Sequence, residues 1–314
     1  MSRDPAARHP RVMNSLELRP TPCAICGGFN HADELYPATF TDVHFSDEIF
    51  SARRRPDKIH YRMVRCRECG LVRSDPALDA AALGQLYSGS HFDYAGEVQN
   101  LRTSYGRALA LLEQYGLKKD ARLLEIGCGN GFFLEEALDR GYPSIAGVEP
   151  SRDAIAAASP RVAPHLVCDM MRPGLFEPAT FDAVFLFQVF DHVSEPRALL
   201  DEIARVLRPG GFLFAVNHNV RAMSARILGE SSPIIDIEHT YLYDLATMRR
   251  IVTAAGFDVK RVASFRNTYS LAYLLHLLPI PRGLKSFLTE RTPAKRLHLT
   301  LPLGNLYLVA RKPS

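Results

Sequence analysis

The chain has 314 residues, 47% of them apolar, and its 38 Lys and Arg against 34 Asp and Glu leave a net charge of +4. This length accommodates one large domain and a small one with a well-filled core. The two signs of charge are interspersed, which argues against a nucleic-acid binder apart from the short run Arg53-Arg54-Arg55. No apolar run reaches the length of a membrane span.

Residues 1–20 are rich in Arg and Pro without an apolar core, so they lack the form of a secretory signal and read as a disordered tail. Met13 offers an alternative start, and a cytoplasmic location follows by default. Residues 21–80 read as a small module marked by two cysteine pairs, Cys23-x-x-Cys26 and Cys66-x-x-Cys69, each followed by glycine (Gly27, Gly70). A turn that brings two thiolates onto one ion needs glycine where the backbone doubles back, so the pattern is that of zinc knuckles. Four thiolates close a tetrahedral site and leave no position for substrate, which makes the expected Zn2+ structural. The gap between the pairs exceeds the usual ribbon spacing, and Phe40 to Tyr61 within it reads as hairpin strands or an inserted loop. Disulfides or redox cysteines are the competing reading, and the lack of a secretory signal favours zinc. Cys128 and Cys168 read as small packing residues.

Residues 81–314 have the pattern of one α/β domain. Leu101 to Tyr115 carries apolar residues at helical spacing. Leu123-Leu-Glu-Ile-Gly-Cys-Gly-Asn-Gly131 is a buried-type strand running into a glycine loop. A helix (Phe132 to Arg140) follows, and another strand, Ile145 to Val148, closes on Glu149. A dinucleotide fold wants G-x-G-x-x-G, whereas Gly127, Gly129 and Gly131 are spaced G-x-G-x-G and Phe132 stands at the third glycine's place. Glu125, just before the loop, is a poor neighbour for a pyrophosphate. S-adenosylmethionine, with a sulfonium and no phosphate, fits better.

A third strand is expected at His165 to Cys168, ending at Asp169, and a fourth at Phe181 to Phe187, whose unbroken apolar run suits a central parallel strand. Its carboxyl end, Gln188 to His192, opens where such sheets bind ligands. Then come a helix (Pro196 to Val206), a turn (Arg208 to Gly211), a fifth strand (Phe212 to Asn217) and a helix (Leu245 to Ala255) capped by Asp244 and stopped by Gly256. Phe257 to Phe265 and Asn305 to Arg311 read as the last strands. Residues 220–243 and 267–302 stand outside this pattern as substrate or lid insertions. Within 267–302, the apolar stretch Tyr269 to Leu278 has helical spacing and reads as a core or lid helix, with a membrane-surface or dimerisation helix as the alternative.

The glycine loop, the acid at Glu149 and the string Arg-Val-Leu-Arg-Pro-Gly-Gly-Phe-Leu-Phe ending at Phe214 resemble, in this order, the class I S-adenosylmethionine-dependent methyltransferases over roughly Leu109 to Arg311. The resemblance implies a Rossmann-like seven-stranded sheet ending in an antiparallel pair. It also implies that Glu125 and the loop residues Gly127, Cys128, Gly129, Asn130 and Gly131 lie along the amino-acid end of the cofactor. Glu149, beside Pro150, would take both ribose hydroxyls, a role suited to a carboxylate that accepts two hydrogen bonds side by side. Asp169, beside Met170, would meet the adenine amino group, and Gln188 would face the crevice. The knuckle Cys66-Arg-Glu-Cys-Gly-Leu-Val72, with Pro76 and the pair Leu86-Tyr87, resembles the amino-terminal module of bacterial methyltransferases acting on sugars and natural-product scaffolds. In the sugar C-methyltransferase branch such a module helps to cover the active site.

Methyl transfer from a sulfonium needs alignment and, for a hydroxyl or an acidic carbon, a base, for which histidine is suited near neutral pH. His192 follows the fourth strand and His218 the fifth. His239 lies in Glu238-His-Thr-Tyr-Leu-Tyr243, a string resembling one in sugar and small-molecule methyltransferases, and is the first candidate for the base. Tyr241 and Tyr243 are candidate acceptor contacts. The expected activity is methyl transfer from S-adenosylmethionine to a small-molecule acceptor: a sugar, a glycan precursor or a natural product. The alternatives are a macromolecule-modifying enzyme recruited through the zinc ribbon and a cofactor-binding scaffold without turnover.

Overall fold

The computed structural model describes residues 17–41, 58–90, 98–270 and 298–314. In chain order, β1 (Ala32–Tyr36), β2 (Met63–Cys66) and β3 (Val72–Ser74) form an antiparallel sheet interleaved with the two cysteine pairs. α1 (Ala80–Gly89) starts where the Asp79 carboxylate accepts from the Ala82 amide, and α2 (Val98–Gln114) follows. The large domain then runs β4 (Arg122–Ile126), α3 (Phe132–Asp139), β5 (Ser144–Val148), α4 (Arg152–Ala156), β6 (Leu166–Val167), β7 (Phe181–Phe187), α5 (Pro196–Val206) and β8 (Leu207–His218). It closes with α6 (Met223–Leu228), β9 (Tyr241–Leu242), α7 (Leu245–Ala254), β10 (Asp258–Ser270) and β11 (His298–Arg311).

Seven strands form one sheet in the order β10-β11-β8-β7-β4-β5-β6. The five from β6 to β8 in that order are mutually parallel, and β11 runs antiparallel to both β8 and β10. The chain steps outward from β4 to β5 and β6, then returns to lay β7 on the other side of β4. This switch in direction leaves a crevice at the carboxyl ends of β4 and β7, where ligands of open α/β sheets bind. Both faces of the sheet are covered. On one, Tyr105, Leu109 and Leu112 of α2 and Phe133 of α3 pack on Phe185 and Phe187. On the other, Leu200 and Ile203 of α5 and Met248, Ile251 and Val252 of α7 pack on Val184 and Leu186. Each such side chain, fully buried, contributes about 1.5–3 kcal/mol. α7 starts on a reciprocal cap in which Asp244 Oδ1 accepts from the Thr247 amide and Thr247 Oγ1 from the Asp244 amide.

The small sheet has the order β1-β2-β3-β9, so its fourth strand comes from the 220–243 insertion of the large domain. Arg73 on β3, fully buried, ties the module together by donating to the carbonyls of Thr21 (2.8 Å) and Phe29 (3.0 Å). Arg197 of α5 donates to the carbonyls of Ala24 and Ile25 at 2.6 and 2.7 Å, and Cys23, Cys66 and Leu71 join the hydrophobic core beneath α5.

Several local expectations need correction. Arg19 pairs with Ala77 in a β-bridge and Thr21 is buried, so packed structure begins inside the segment read as a tail. Arg208 to Gly211 is a bulge within β8 rather than a free turn. The register with β7 jumps there, and the backbone of Gly210 and Gly211 pairs with Lys312. β10 and β11 run on past Phe265 and upstream of Asn305, pairing Asn267 with Leu301 and Tyr269 with Leu299, so the start of the expected helix is strand. The rest of that stretch, Leu271 to Leu278, and the run Arg53 to Arg55 lie outside the described residues. Cys128 is buried as a packing residue would be, whereas Cys168 is exposed. Among the described residues no helix is long and apolar enough to cross a membrane.

Candidate active site

A cavity of about 1220 Å³ opens at the carboxyl ends of β4 and β7 and runs beneath α1 and the 220–243 insertion. One half is built by the β4–α3 loop. Gly127, Gly129 and Gly131 all adopt positive φ (70°, 54° and 76°). At Gly127 a Cβ would lie 2.4 Å from Val189 Cγ2, and at Gly131 2.5 Å from Val162 Cγ1, so the loop closes only without side chains. The Glu149 carboxylate, at the end of β5, accepts from the Gly129 amide and the Ser151 amide at 2.9 Å each. One amide per oxygen leaves each with lone-pair capacity toward the cavity. Burial raises the Glu149 pKa, and the two amide bonds oppose this. Glu125 is buried with Oε2 unpartnered; burial, and then the charge of Glu149, push its carboxyl well above the usual range. Burial thus favours its protonated form, which can donate.

Of the residues expected at the cofactor, Glu125, Gly127, Cys128, Gly129, Glu149, Pro150, Asp169, Met170 and Gln188 line this cavity; Asn130 and Gly131 do not. Gly131 instead caps the start of α3. Asp169 accepts from the Met170 amide (2.7 Å) and Arg172 Nε (3.0 Å). Gln188 takes positive φ (57°) and buries its Oε1 without a partner. Tyr105, stacked 4.1 Å from Phe187, and Phe132 form an aromatic wall that the pattern of single residues did not reveal.

The other half is lined by His192, His218 and His239, whose rings approach to 4.7 Å (His192 and His239) and 4.9 Å (His218 and His239). At their centre is Asp191, fully buried, with Oδ2 2.7 Å from His218 Nδ1 and Oδ1 3.8 Å from His192 Nε2. Burial alone would raise the Asp191 pKa, but the His218 hydrogen bond and the charges of the imidazoles hold its carboxyl well below the usual range. Burial lowers the His192 pKa and takes that of His239 further down, helped by the neighbouring His192 and His218. The Tyr87 hydroxyl of α1 lies 3.0 Å from His192 Nδ1. Burial, and then Glu238, raise the Tyr87 pKa, which keeps the phenol protonated. Asp191 and Tyr87 were not among the expected site residues; an acid directly before His192, four residues past an apolar strand, was the available signal. Tyr241 does not reach the cavity. It donates to the Pro22 carbonyl at 2.9 Å, inside the packing between insertion and module. Tyr243 stacks on Phe190, also away from the cavity.

The four cysteines of the two pairs converge, with Sγ atoms within 4.8 Å of one another and Cys23 and Cys69 Sγ 3.4 Å apart, all as free thiols. The pairs are built alike. Gly27 donates to the Cys23 carbonyl and Gly70 to the Cys66 carbonyl, both glycines at φ near +79° and +78°.

A glycine loop on the first parallel strand, an acid closing the next and an antiparallel last strand define the Rossmann-like class I S-adenosylmethionine-dependent methyltransferases. A family model described as methyltransferase domain matches residues 98–262, more than half of the chain, and the chain belongs to that family. Among curated relatives, a ubiquinone biosynthesis O-methyltransferase of Neisseria meningitidis is 24% identical over 182 residues, 54% of this chain and 76% of that one. Another of that name, from Rhizobium johnstonii, is 36% identical over 112 residues, 34% of this chain and 44% of that one. The chain thus spans less than half of some relatives it matches. A solved S-adenosylmethionine-dependent methyltransferase from Aquifex aeolicus is 16% identical with a TM-score of 0.44, covering 70% of this chain and 98% of that one.

Proposed function

We propose that this methyltransferase acts on a small hydroxyl-bearing molecule such as a sugar, a glycan precursor or a natural-product scaffold, in the cytoplasm. The cavity carries this reading. Its volume, about 1220 Å³, exceeds the roughly 300–1,000 Å³ typical of one ligand, and it joins the glycine loop to a polar half lined by three imidazoles. That leaves room for cofactor and acceptor side by side. The small-molecule character of the acceptor is in keeping with the names of the curated relatives.

The residues present fit S-adenosylmethionine: a loop that admits no Cβ, and buried oxygens of Glu125 and Gln188 left without protein partners. In this reading Glu149 holds the ribose hydroxyls, Glu125 donates toward the amino-acid end, and Asp169 meets the adenine. When bound, the cofactor supplies a methyl activated on a sulfonium. The acceptor hydroxyl sits against Tyr87, and its proton passes through the phenol to Nδ1 of His192; burial lowers the basicity of this imidazole, and the charge of Asp191 opposes that lowering and supports the protonated form. α1 and the insertion line the cavity opposite the glycine loop. Cys23, Cys26, Cys66 and Cys69 hold one structural Zn2+ with no open position.

Calorimetric titration with S-adenosylhomocysteine, followed by a screen of hydroxylated small molecules with methyl-labelled cofactor, tests the reading. Micromolar binding and label transfer to a hydroxyl oxygen support it. Label found only in protein or nucleic acid would sink it in favour of a macromolecular acceptor, and binding without any transfer would favour a scaffold.

A further inference from the structure

We propose that Asp191, His218 and His239 form a site for one divalent transition-metal ion in the wall of the acceptor half of the cavity, separate from the four-cysteine cluster. One donor atom from each of the three lies within 4.8 Å of the others. Donors bonded to a single ion at about 2.0–2.2 Å stand roughly 3–4 Å apart, so only a small closure is required.

An independent observation points to a ligand there. Asp191 is 0% exposed and its Oδ1 has no hydrogen-bond partner; His239 is 5% exposed and its Nδ1 has none either. A buried polar atom left unpaired costs about 1–3 kcal/mol, so two in one cluster mark a place built to bind something. The donor chemistry says what. His239 Nδ1, buried and without a hydrogen-bond partner, is the nitrogen available to an ion. A buried carboxylate oxygen and an imidazole nitrogen, both without partners, are donors of the kind that hold a cation. Two imidazoles and one carboxylate suit Zn2+ and its neighbours in the transition series and are a poor set for Mg2+ or Ca2+, which prefer all-oxygen shells.

Placement adds to the argument. Asp191 follows β7, His218 ends β8 and His239 precedes β9, so three separate elements converge. His218 and His239 line the cavity while Asp191 lies behind them. With three protein ligands, the open coordination positions face the acceptor half, where a substrate hydroxyl would complete them. The ion competes with the bond between Asp191 and His218 and takes over both partners. Its role at the acceptor rests on the functional reading above; its binding does not.

The test uses the full chain purified with zinc in its cysteine cluster and titrated with Co2+, followed by absorption and by elemental analysis after desalting. The expected result is a second metal equivalent whose weak visible bands show nitrogen and oxygen ligation without thiolate charge transfer. His218→Gln and Asp191→Asn should each weaken this equivalent by at least about tenfold, with S-adenosylhomocysteine affinity retained as the check on folding. His218, a quarter exposed, is the safer of the two to replace. A single thiolate-bound equivalent, or an additional one that survives both substitutions, overturns the site and leaves Asp191 and His218 as a proton-sharing pair. Failure of the methyltransferase reading would instead show as absent S-adenosylhomocysteine binding.

Discussion

The Ser74 hydroxyl, at the end of β3, donates to the His239 carbonyl at 2.8 Å, joining residues 165 positions apart. The Ser74 amide donates to the Thr240 carbonyl at 2.9 Å in the same contact, and both side chains are buried. The cysteine module therefore holds, by its own backbone edge, the segment that carries a histidine of the cavity wall.

Loosening the module should free that segment. Cys66→Ser removes one thiolate from the knuckle that leads into β3, and chelation of zinc should act alike. Hydrogen exchange of residues 231–243 is expected to speed up by at least about tenfold, as local protection is lost. Exchange in β4 and β5 should stay slow. Unchanged protection in 231–243 would show that the module does not support the site.

Glu149 is expected to dominate the cofactor half. Removing a charged group that makes two hydrogen bonds costs about 2–3 kcal/mol, so Glu149→Ala should weaken S-adenosylhomocysteine binding by roughly 30- to 150-fold in calorimetry. An unchanged dissociation constant would contradict the ribose assignment.

Glu125 gives a prediction with a definite sign. Burial first, and the charge of Glu149 after it, raise its pKa well above that of the unfolded chain. The folded state therefore binds the proton more tightly. The associated stability is fully present below the unfolded pKa of about 4.3 and is lost as pH rises through the folded value. Glu125→Gln, which cannot ionise, should raise the melting temperature of the ligand-free protein more at pH 8.5 than at pH 5. A gain that is equal at both would mean that Glu125 ionises freely.

Local chemistry made much of the fold legible. The glycine loop needs positive φ at fixed spacing, β7 is apolar because both its faces are covered, and α7 announces itself by Asp244 and Gly256. What stayed hidden depends on contacts between distant segments. β9 is two residues long and is a strand only because β3 lies beside it, so no periodicity could mark it. Tyr241 and His239 are two positions apart, yet one faces Pro22 and the other the cavity; without the register of β9 their directions could not be told apart. Asp191 stands beside His192 in the chain, but its shortest contact is with His218, 27 positions away.

Gly127 offers the sharpest test of the loop itself. Its φ of 70° is a conformation that costs an L-residue about 1–2 kcal/mol, and a Cβ there would meet Val189 Cγ2 at 2.4 Å. Val189 directly follows Gln188 just past the end of β7, so relieving the clash moves the segment that borders the cavity. Gly127→Ala should lower stability by about 2–5 kcal/mol, the strain plus the cost of overpacking. The double variant Gly127→Ala with Val189→Ala removes the clash but keeps the strain. It should therefore recover S-adenosylhomocysteine binding more than stability, and denaturant unfolding measured beside calorimetry separates the two. If the single variant bound the ligand normally, the close approach of loop and strand would not be what shapes this half of the site.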